Sequence, residues 1–454
     1  MSRIINVLQK LNKETAAEVY YVGGFVRDLI RRRKPNNVDI LIRNYPVTDL
    51  IKYLKKHGEI SKQMPHYKMM IFTCNGESVR ISLPHKGRKV NPFFTLKEDA
   101  RSREFTINAM YLPIDRISKK HIIDYYGGLK DIKGKKIRAV GKAKQMIGID
   151  PIRMLRTVSF ASWLSYKIDT NLFYAIKTSS KLFENVNVDD MREELVKILL
   201  SKKPSKYLKI LYSTGLLYTI MPELHMCYGV EQNKKYHKHD VFTHSILACD
   251  NTEPDIVLRM AALLHDIGKL QTRDEDPKAG KVTFYSHEVV SARLAKRIMK
   301  RLNFDQETIS KVAELAYLHM YNYEPEKWTD AAVRRFIRKT KINAEDLDKL
   351  DTFPLFLVRR ADRLANGYPH KEVSYRQELF QRRIRDIFAE SNVITINDLA
   401  IDGKALMNEF KLKEGPTVGH VLNYLLSLVL DDQKLNSRDT LIDEASKYLS
   451  EALK

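Results

Sequence analysis

The sequence predicts an α+β protein in which a basic head precedes an almost wholly helical remainder, and three observations predict it. Residues 1–145 alternate short β-branched and aromatic runs with helical or loop-like pieces. From about residue 146 onward, apolar residues recur at three- and four-residue spacing, the period of one helix face. Charge divides the chain at the same place: residues 1–150 hold 31 Lys+Arg against 14 Asp+Glu, and the rest hold 47 against 42.

Taken in order, Tyr20–Val22, Val38–Ile42, Met69–Cys74, Val79–Leu83 and Ile122–Tyr125 are the strand candidates of the head. Asp150-Pro151 predicts a helix start, with Asp as N-cap and Pro in the first turn. Asn233 to His239 is a polar junction, and a second boundary is expected near 370–390, before Ile394-Thr395-Ile396-Asn397-Asp398. Hydrophobic content of 44% and charged content of 30% are those of a soluble globular chain. No apolar run approaches the ~20 residues that span a bilayer, and the N-terminus has no apolar signal core. Cys74, Cys227 and Cys249 are widely spaced, which predicts reduced thiols and a cytosolic protein without membrane partners. The net charge of +22, concentrated in the first third, predicts a polyphosphate partner, RNA above all, because neutralised phosphates release counterions. Arg31-Arg32-Arg33-Lys34 is the densest basic stretch and the candidate RNA contact; the plainer reading is a solvated basic face.

The head carries ordered motifs: Gly23-Gly24-Phe25-Val26-Arg27-Asp28, then Pro35-Asn36-Asn37-Val38-Asp39, Ser102-Arg103-Glu104-Phe105-Thr106-Ile107-Asn108-Ala109, Asp124-Tyr125-Tyr126-Gly127-Gly128 and Asp150-Pro151-Ile152-Arg153-Met154-Leu155-Arg156. In this order the motifs resemble the CCA-adding tRNA nucleotidyltransferase and bacterial poly(A) polymerase family. The resemblance implies a polymerase β-like nucleotidyltransferase head with a small mixed sheet. It implies nucleotide contacts at Gly23, Gly24, Arg27, Asp28, Arg103 and Asn108, and base-edge contacts at Asp150, Arg153 and Arg156. Two metal ions, Mg or Mn, would be held by aspartates at i and i+2 of one strand and a third acid from a neighbouring strand, with ATP and CTP as ligands. Asp39 is the catalytic and metal-binding residue that remains. Asn37 stands at the other aspartate, Arg80 at the third acid, Ile149 at a Glu and Ser159 at an Arg. Glu77 lies three residues from Arg80 and so on the opposite face of a regular strand. The departures predict a head that has lost nucleotidyl transfer.

A second set stands in the helical region: His244, His265-Asp266 in Leu263-Leu264-His265-Asp266-Ile267-Gly268-Lys269, His287, His319 and Asp362. Imidazole and carboxylate ligands suit Mn, Fe, Ni, Co or Mg rather than a cysteine-rich zinc site. The set resembles the HD phosphohydrolase superfamily. The resemblance makes His244, His265, Asp266 and Asp362 the minimal ligands, His287 and His319 the extra pair of two-metal members, and Asp266 the catalytic acid. Metal-assisted attack of water on a phosphoester is the implied chemistry. Gly229 to Asn233, His237 to His244, Asp398 to Gly403 and Gly415 to Gly419 extend the likeness into the lead and tail of bacterial CCA-adding enzymes.

The expected organisation is a head over 1–145, a base- and RNA-binding helical neck over 146–230, an HD domain over 231–372 and a helical, tRNA-binding tail over 373–454. The expected function is RNA binding at tRNA 3′ ends with phosphohydrolase or phosphodiesterase chemistry at the HD site. The alternatives are an active CCA-adding enzyme using CTP and ATP, and a non-enzymatic RNA-binding regulator.

Overall fold

The computed structural model describes residues 3–35, 37–64, 69–87, 89–276, 281–321, 323–368, 371–390 and 394–452, so Asn36 of the head motif lies outside the described residues. The chain forms two compact units, Met1–His225 with Lys300–Phe304, and Met226–Met299 with Asp305–Lys454. No described helix is long and apolar enough to cross a membrane.

The first unit is built on a seven-stranded sheet. Its strands are β1 (Glu18–Val22), β2 (Asp39–Arg43), β3 (Glu59–Met64), β4 (Met69–Cys74), β5 (Glu77–Ser82), β6 (Met110–Pro113) and β7 (Ile123–Asp124). They lie in the order β3-β4-β5-β2-β1-β6-β7, with β2 and β5 parallel and the other neighbours antiparallel. Strict burial alternation along β4 shows one face on the core, as period-two patterning requires. Val22, Leu41, Ala109 and Tyr111 pack with Leu96 and Ala100 beneath the motif-bearing end of the sheet. Leu96 and Ala100 belong to α2 (Leu96–Ser102), started by a Thr95/Glu98 capping box. The Gly-Gly turn opens the short helix α1 (Gly24–Ile30) from Gly23, whose φ of 61° favours a residue without Cβ.

Strand β7 is shorter than expected because Asp124 turns its carboxylate onto the following loop. It accepts from the backbone N–H groups of Tyr126, Gly127, Gly128 and Leu129. The expected helix at Asp150 also differs. Helix α3 runs Arg153–Leu164, and Asp150 instead ends the preceding helix Ala143–Ile149. Its carboxylate faces Arg153 and Arg156 at 3.9 Å each rather than capping backbone N–H groups.

The second unit holds the helices that carry the histidine set: α4 (Val241–Asp250), α5 (Ile256–Leu264), α6 (His287–Arg301), α7 (Gln306–Leu318) and α8 (Pro354–Ala365). Asp240, Asp255 and Asp305 cap the starts of α4, α5 and α7 through backbone N–H groups. A helix then runs Lys371–Ala389, through the stretch where a second boundary was expected. The tail buries a separate cluster around Leu406, Val421, Leu425, Val429 and Leu441.

Candidate functional site

Two places gather the predicted residues, one in each unit. In the first unit, a cavity of about 410 Å³ is lined by Gly23, Gly24, Arg27, Asp28, Asn37, Asp39, Arg80, Arg103, Glu104, Asn108, Phe160 and Trp163. Arg27 is buried and fully engaged. Its Nε and Nη2 donate to the two Asp28 oxygens at 3.1 and 3.0 Å, and Nη1 donates to Asn108 Oδ1 at 2.8 Å. Its guanidinium also lies 4.8 Å from the Trp163 ring, a cation–π contact. Arg103 is fixed from behind: Nε donates to buried Asp99 at 2.8 Å, and Asp99 also accepts from the Tyr111 hydroxyl at 2.6 Å. The predicted residues Arg27, Asp28, Arg103 and Asn108 thus form one braced wall.

Asp39 begins β2 and Arg80 is its direct partner in β5. Arg80 Nε lies 2.7 Å from Asp39 Oδ1. Burial pushes the Asp39 carboxyl up from its ordinary value, against the pull of Arg80, Arg103 and Arg27. Among the described residues, the head brings no three carboxylate or imidazole ligands together. A guanidinium offers no lone pair to a metal. Two unit charges about 4 Å apart repel by about 4 kcal/mol at an effective dielectric of about 20, and a divalent ion doubles that. The residues around Asp39 therefore do not fit the two-metal arrangement.

Arg153 lines two adjoining hollows, of about 220 and 1090 Å³, the larger also bordered by Lys86, Arg101 and Lys142. Ser159 donates to the buried carboxylate of Glu194, which also takes Arg156 at 3.6 Å and Lys197 at 2.8 Å. Of the basic stretch, Arg31 is occupied by Asp28 at 3.3 Å, while Arg32, Arg33 and Lys34 are exposed.

In the second unit all six residues of the histidine set meet, and all are buried. Asp266 is the centre. Its Oδ2 lies 3.4 Å from His244 Nε2 and 3.3 Å from His265 Nε2, and its Oδ1 lies 3.2 Å from His287 Nε2 and 3.6 Å from His319 Nε2. Asp362 Oδ1 closes the first side, 3.2 Å from His244 Nε2 and 3.6 Å from His265 Nε2. One carboxylate thus joins two triads, and these are the two candidate metal groups among the described residues.

The apolar run leading into His265-Asp266 predicts that this adjacent pair lies on a helix; it lies instead in the turn His265–Gly268 that follows α5. Neighbouring residues of an α-helix diverge by about 100°. The turn is what lets both side chains reach one centre. Gly268 lets α6 approach the turn closely, since a Cβ there would sit 2.3 Å from the His287 carbonyl oxygen.

The rings are aimed by their other nitrogens. His265, His287 and His319 place Nδ1 2.7–2.8 Å from the carbonyls of Ala262, Phe284 and Ala316, which leaves each Nε2 pointing inward. His287 Nε2 and His319 Nε2 are buried with no hydrogen bond among the described residues. Buried acceptors without partners are costly in an apolar interior and fit divalent metal ligation. Burial would lower the His265 imidazole, yet Asp266 and Asp362 raise it to about 10. Burial takes His319 down to about 4. A cation at the centre would answer both, replacing the proton on one side and engaging neutral lone pairs on the other.

Sequence reasoning missed the residues that brace this centre. Lys269 Nζ donates to Asp266 Oδ2 at 2.6 Å and to Gln232 Oε1 at 2.8 Å, and Arg359 Nη1 donates to Asp362 Oδ2 at 2.7 Å. Their signal was the i, i+3 spacing of Asp266–Lys269 and Arg359–Asp362. In the head, Phe160 and Trp163 were missed, although they sit on α3 one and two turns past Arg156.

The comparisons with known proteins divide the chain the same way. Family models match for the poly(A) polymerase head domain at 19–138, the probable RNA and SrmB-binding site of polymerase A at 165–227, and the HD domain at 235–367. The chain is 24% identical over 454 residues to a CCA-adding enzyme of Lactococcus lactis, covering 98% of this chain and 95% of that one. It is 29% identical over 340 residues to an A-adding tRNA nucleotidyltransferase of Deinococcus radiodurans, covering 73% and 74%. A CC-adding tRNA nucleotidyltransferase of Thermus thermophilus is 26% identical over 91% of this chain and 89% of its own. The fold is that of the Bacillus stearothermophilus CCA-adding enzyme in complex with CTP, with a TM-score of 0.69 at 20% identity over 100% and 99% of the two chains.

Proposed function

We propose, for a chain that belongs to the family of CCA-adding tRNA nucleotidyltransferases and bacterial poly(A) polymerases with an HD domain, that it binds RNA at tRNA 3′ ends and hydrolyses phosphoesters at the HD site. The observation that carries the hydrolytic reading is Asp266, whose two oxygens each face a pair of inward-pointing imidazoles. The relatives' names support the RNA part, as does the basic first third of the chain.

His244, His265, Asp266 and Asp362 would hold one divalent ion, and His287 and His319 a second with Asp266 shared. Bound there, such ions would supply activation of water and polarisation of a phosphoryl oxygen. The protein's own part is orientation. Lys269 fixes the outer lone pair of Asp266 and puts positive charge beside the centre, and Arg359 holds Asp362 in place. Backbone carbonyls keep the His265, His287 and His319 rings in one orientation, so little rearrangement accompanies the reaction.

The test is metal-dependent hydrolysis of bis(p-nitrophenyl) phosphate and of RNA 3′-terminal phosphoesters, with RNA affinity measured in parallel. Asp266→Ala should reduce hydrolysis to background and leave RNA affinity unchanged; persistent hydrolysis would remove the HD assignment. A second reading keeps nucleotidyl transfer in the head, because Asp39, Arg27, Arg103 and Asn108 face one cavity and the relatives are named for that reaction. The Arg80–Asp39 pair stands against it.

A further inference from the structure

The head has a hollow with a Gly-Gly turn and inward-facing guanidiniums, but among the described residues no set of three carboxylate or imidazole ligands, and Asp39 is paired with Arg80. A phosphate site that lacks a set of metal ligands needs another resident cation. We propose that Arg80 is that cation, and that the head binds the phosphate chain of a nucleoside triphosphate without any divalent ion, Arg80 exchanging Asp39 for phosphate. This rests on the reading that the head binds without transferring.

The geometry singles out this ion pair among those of the cavity. Arg27 and Arg103 are held by carboxylates whose side chains are only 12% and 0% exposed, so their partners are parts of the scaffold. Arg80 and Asp39 are 39% and 26% exposed and both line the hollow. A partly exposed pair is held less firmly than the buried ones, and a planar guanidinium fork matches phosphate oxygens as well as it matches a carboxylate. The Gly-Gly turn leaves the approach open. A Cβ at Gly24 would stand 3.4 Å from Arg27 Nη2 and 3.8 Å from Asp39 Oδ2, in the space between the two charges. Phe160 and the half-exposed Trp163 give the same hollow an aromatic wall for a base.

The exchange reverses the usual sign of a carboxylate's contribution. In a metal-dependent site, Asp39 would hold the ion and its loss would weaken nucleotide binding. Here Asp39 competes with phosphate for Arg80 and repels it, so its neutralisation should tighten binding.

Equilibrium dialysis of ATP and of CTP against the full chain, in EDTA and in Mg²⁺, separates the two. Asp266→Ala in the background keeps HD hydrolysis out of the reading. The expected affinity in EDTA is within about twofold of that in Mg²⁺, and Asp39→Asn should tighten binding in EDTA by about tenfold. Arg80→Gln should weaken it by about tenfold or more. Binding that appears only with Mg²⁺, or weakens in Asp39→Asn, overturns the proposal, and neither result depends on whether Arg80→Gln folds. Absence of binding in both buffers overturns it too, while leaving the hydrolytic reading intact, since that is scored by phosphoester cleavage.

Discussion

Each unit of this chain sets a carboxylate among nitrogen atoms, Asp39 in the head and Asp266 in the HD domain, and the two differ in what those nitrogens carry. Around Asp266 four are imidazole Nε2 atoms aimed at the same space as the carboxylate oxygens, and the Lys269 ammonium is a fifth, on Oδ2 alone. Around Asp39 they are guanidinium N–H groups of Arg80, with Arg27 and Arg103 close by. A guanidinium brings a fixed positive charge and no acceptor, so it cannot serve as a metal ligand. Histidine can do so. An acid on a strand or turn is therefore not a metal site until its neighbours are known. In this chain, Asn37 and Arg80 stand where the family resemblance puts two acids, and both bear on how the head is read.

The comparison can be broken most sharply at Gly268. A methyl group there collides with the His287 carbonyl at 2.3 Å and the Ser291 amide at 2.7 Å, so Gly268→Ala must push α6 away from the His265–Gly268 turn. Bound metal, measured by elemental analysis, should fall by at least one equivalent per chain. Hydrolysis should fall to near background, with overpacking costing about 1–3 kcal/mol of stability. Full metal content and activity in Gly268→Ala would show that the second triad is not assembled as described.

Arg359→Ala should act next most strongly, because it removes the bond that orients Asp362 without touching any proposed ligand. Partners of metal ligands are worth about 10–100-fold in affinity or activity. A metal titration of the purified chain reads this directly, and an unchanged midpoint would make Arg359 a purely structural residue.

The brace behind the head's wall should show in pH. Burial alone would raise the Asp99 carboxyl, but Arg103, His85 and Tyr111 hold it well below its ordinary 3.8. A depressed folded-state value contributes stability above pH ~4 and loses it as pH falls below that. Asp99→Asn should therefore lower the melting temperature at pH 7 and flatten its decline below pH 4. A parallel decline in both proteins would mean that Asp99 is not the group responsible.

The smallest effect is expected on the surface. Arg31 already serves Asp28, which leaves Arg32, Arg33 and Lys34 as the exposed charges of the basic stretch. Reversing these three to Glu should reduce the salt slope of RNA binding by roughly 2–3, at about 0.7–0.9 per phosphate contact. An unmoved slope would make the stretch a solvated face.

The sequence carried much of this, unevenly. Strand β4 falls where its β-rich run placed it, Met69–Cys74, because all six of its residues are apolar or β-branched. Strand β3 (Glu59–Met64) was not foreseen, since its Ser, Lys and Gln give no period and its pairing with β4 supplies the order. Nor was β6, which is only four residues and ends in Pro113. In the HD domain the identity of the six residues was legible from composition and order. The turn that brings His265 and Asp266 together was not, because the apolar period of α5 runs straight up to it. Gln232 was quoted within a motif, yet its bond to Lys269 joins positions 37 residues apart, and no local pattern reports such a contact.

Incorporation of labelled CTP and ATP into tRNA lacking its 3′ CCA decides whether Arg80 stands in the metals' place in the head. The unmodified chain should incorporate neither nucleotide with Mg²⁺ or Mn²⁺, and the Asn37→Asp/Arg80→Glu double variant should gain incorporation. Robust incorporation by the unmodified chain, abolished by Asp39→Ala, would show that the head keeps its metals and transfers nucleotides.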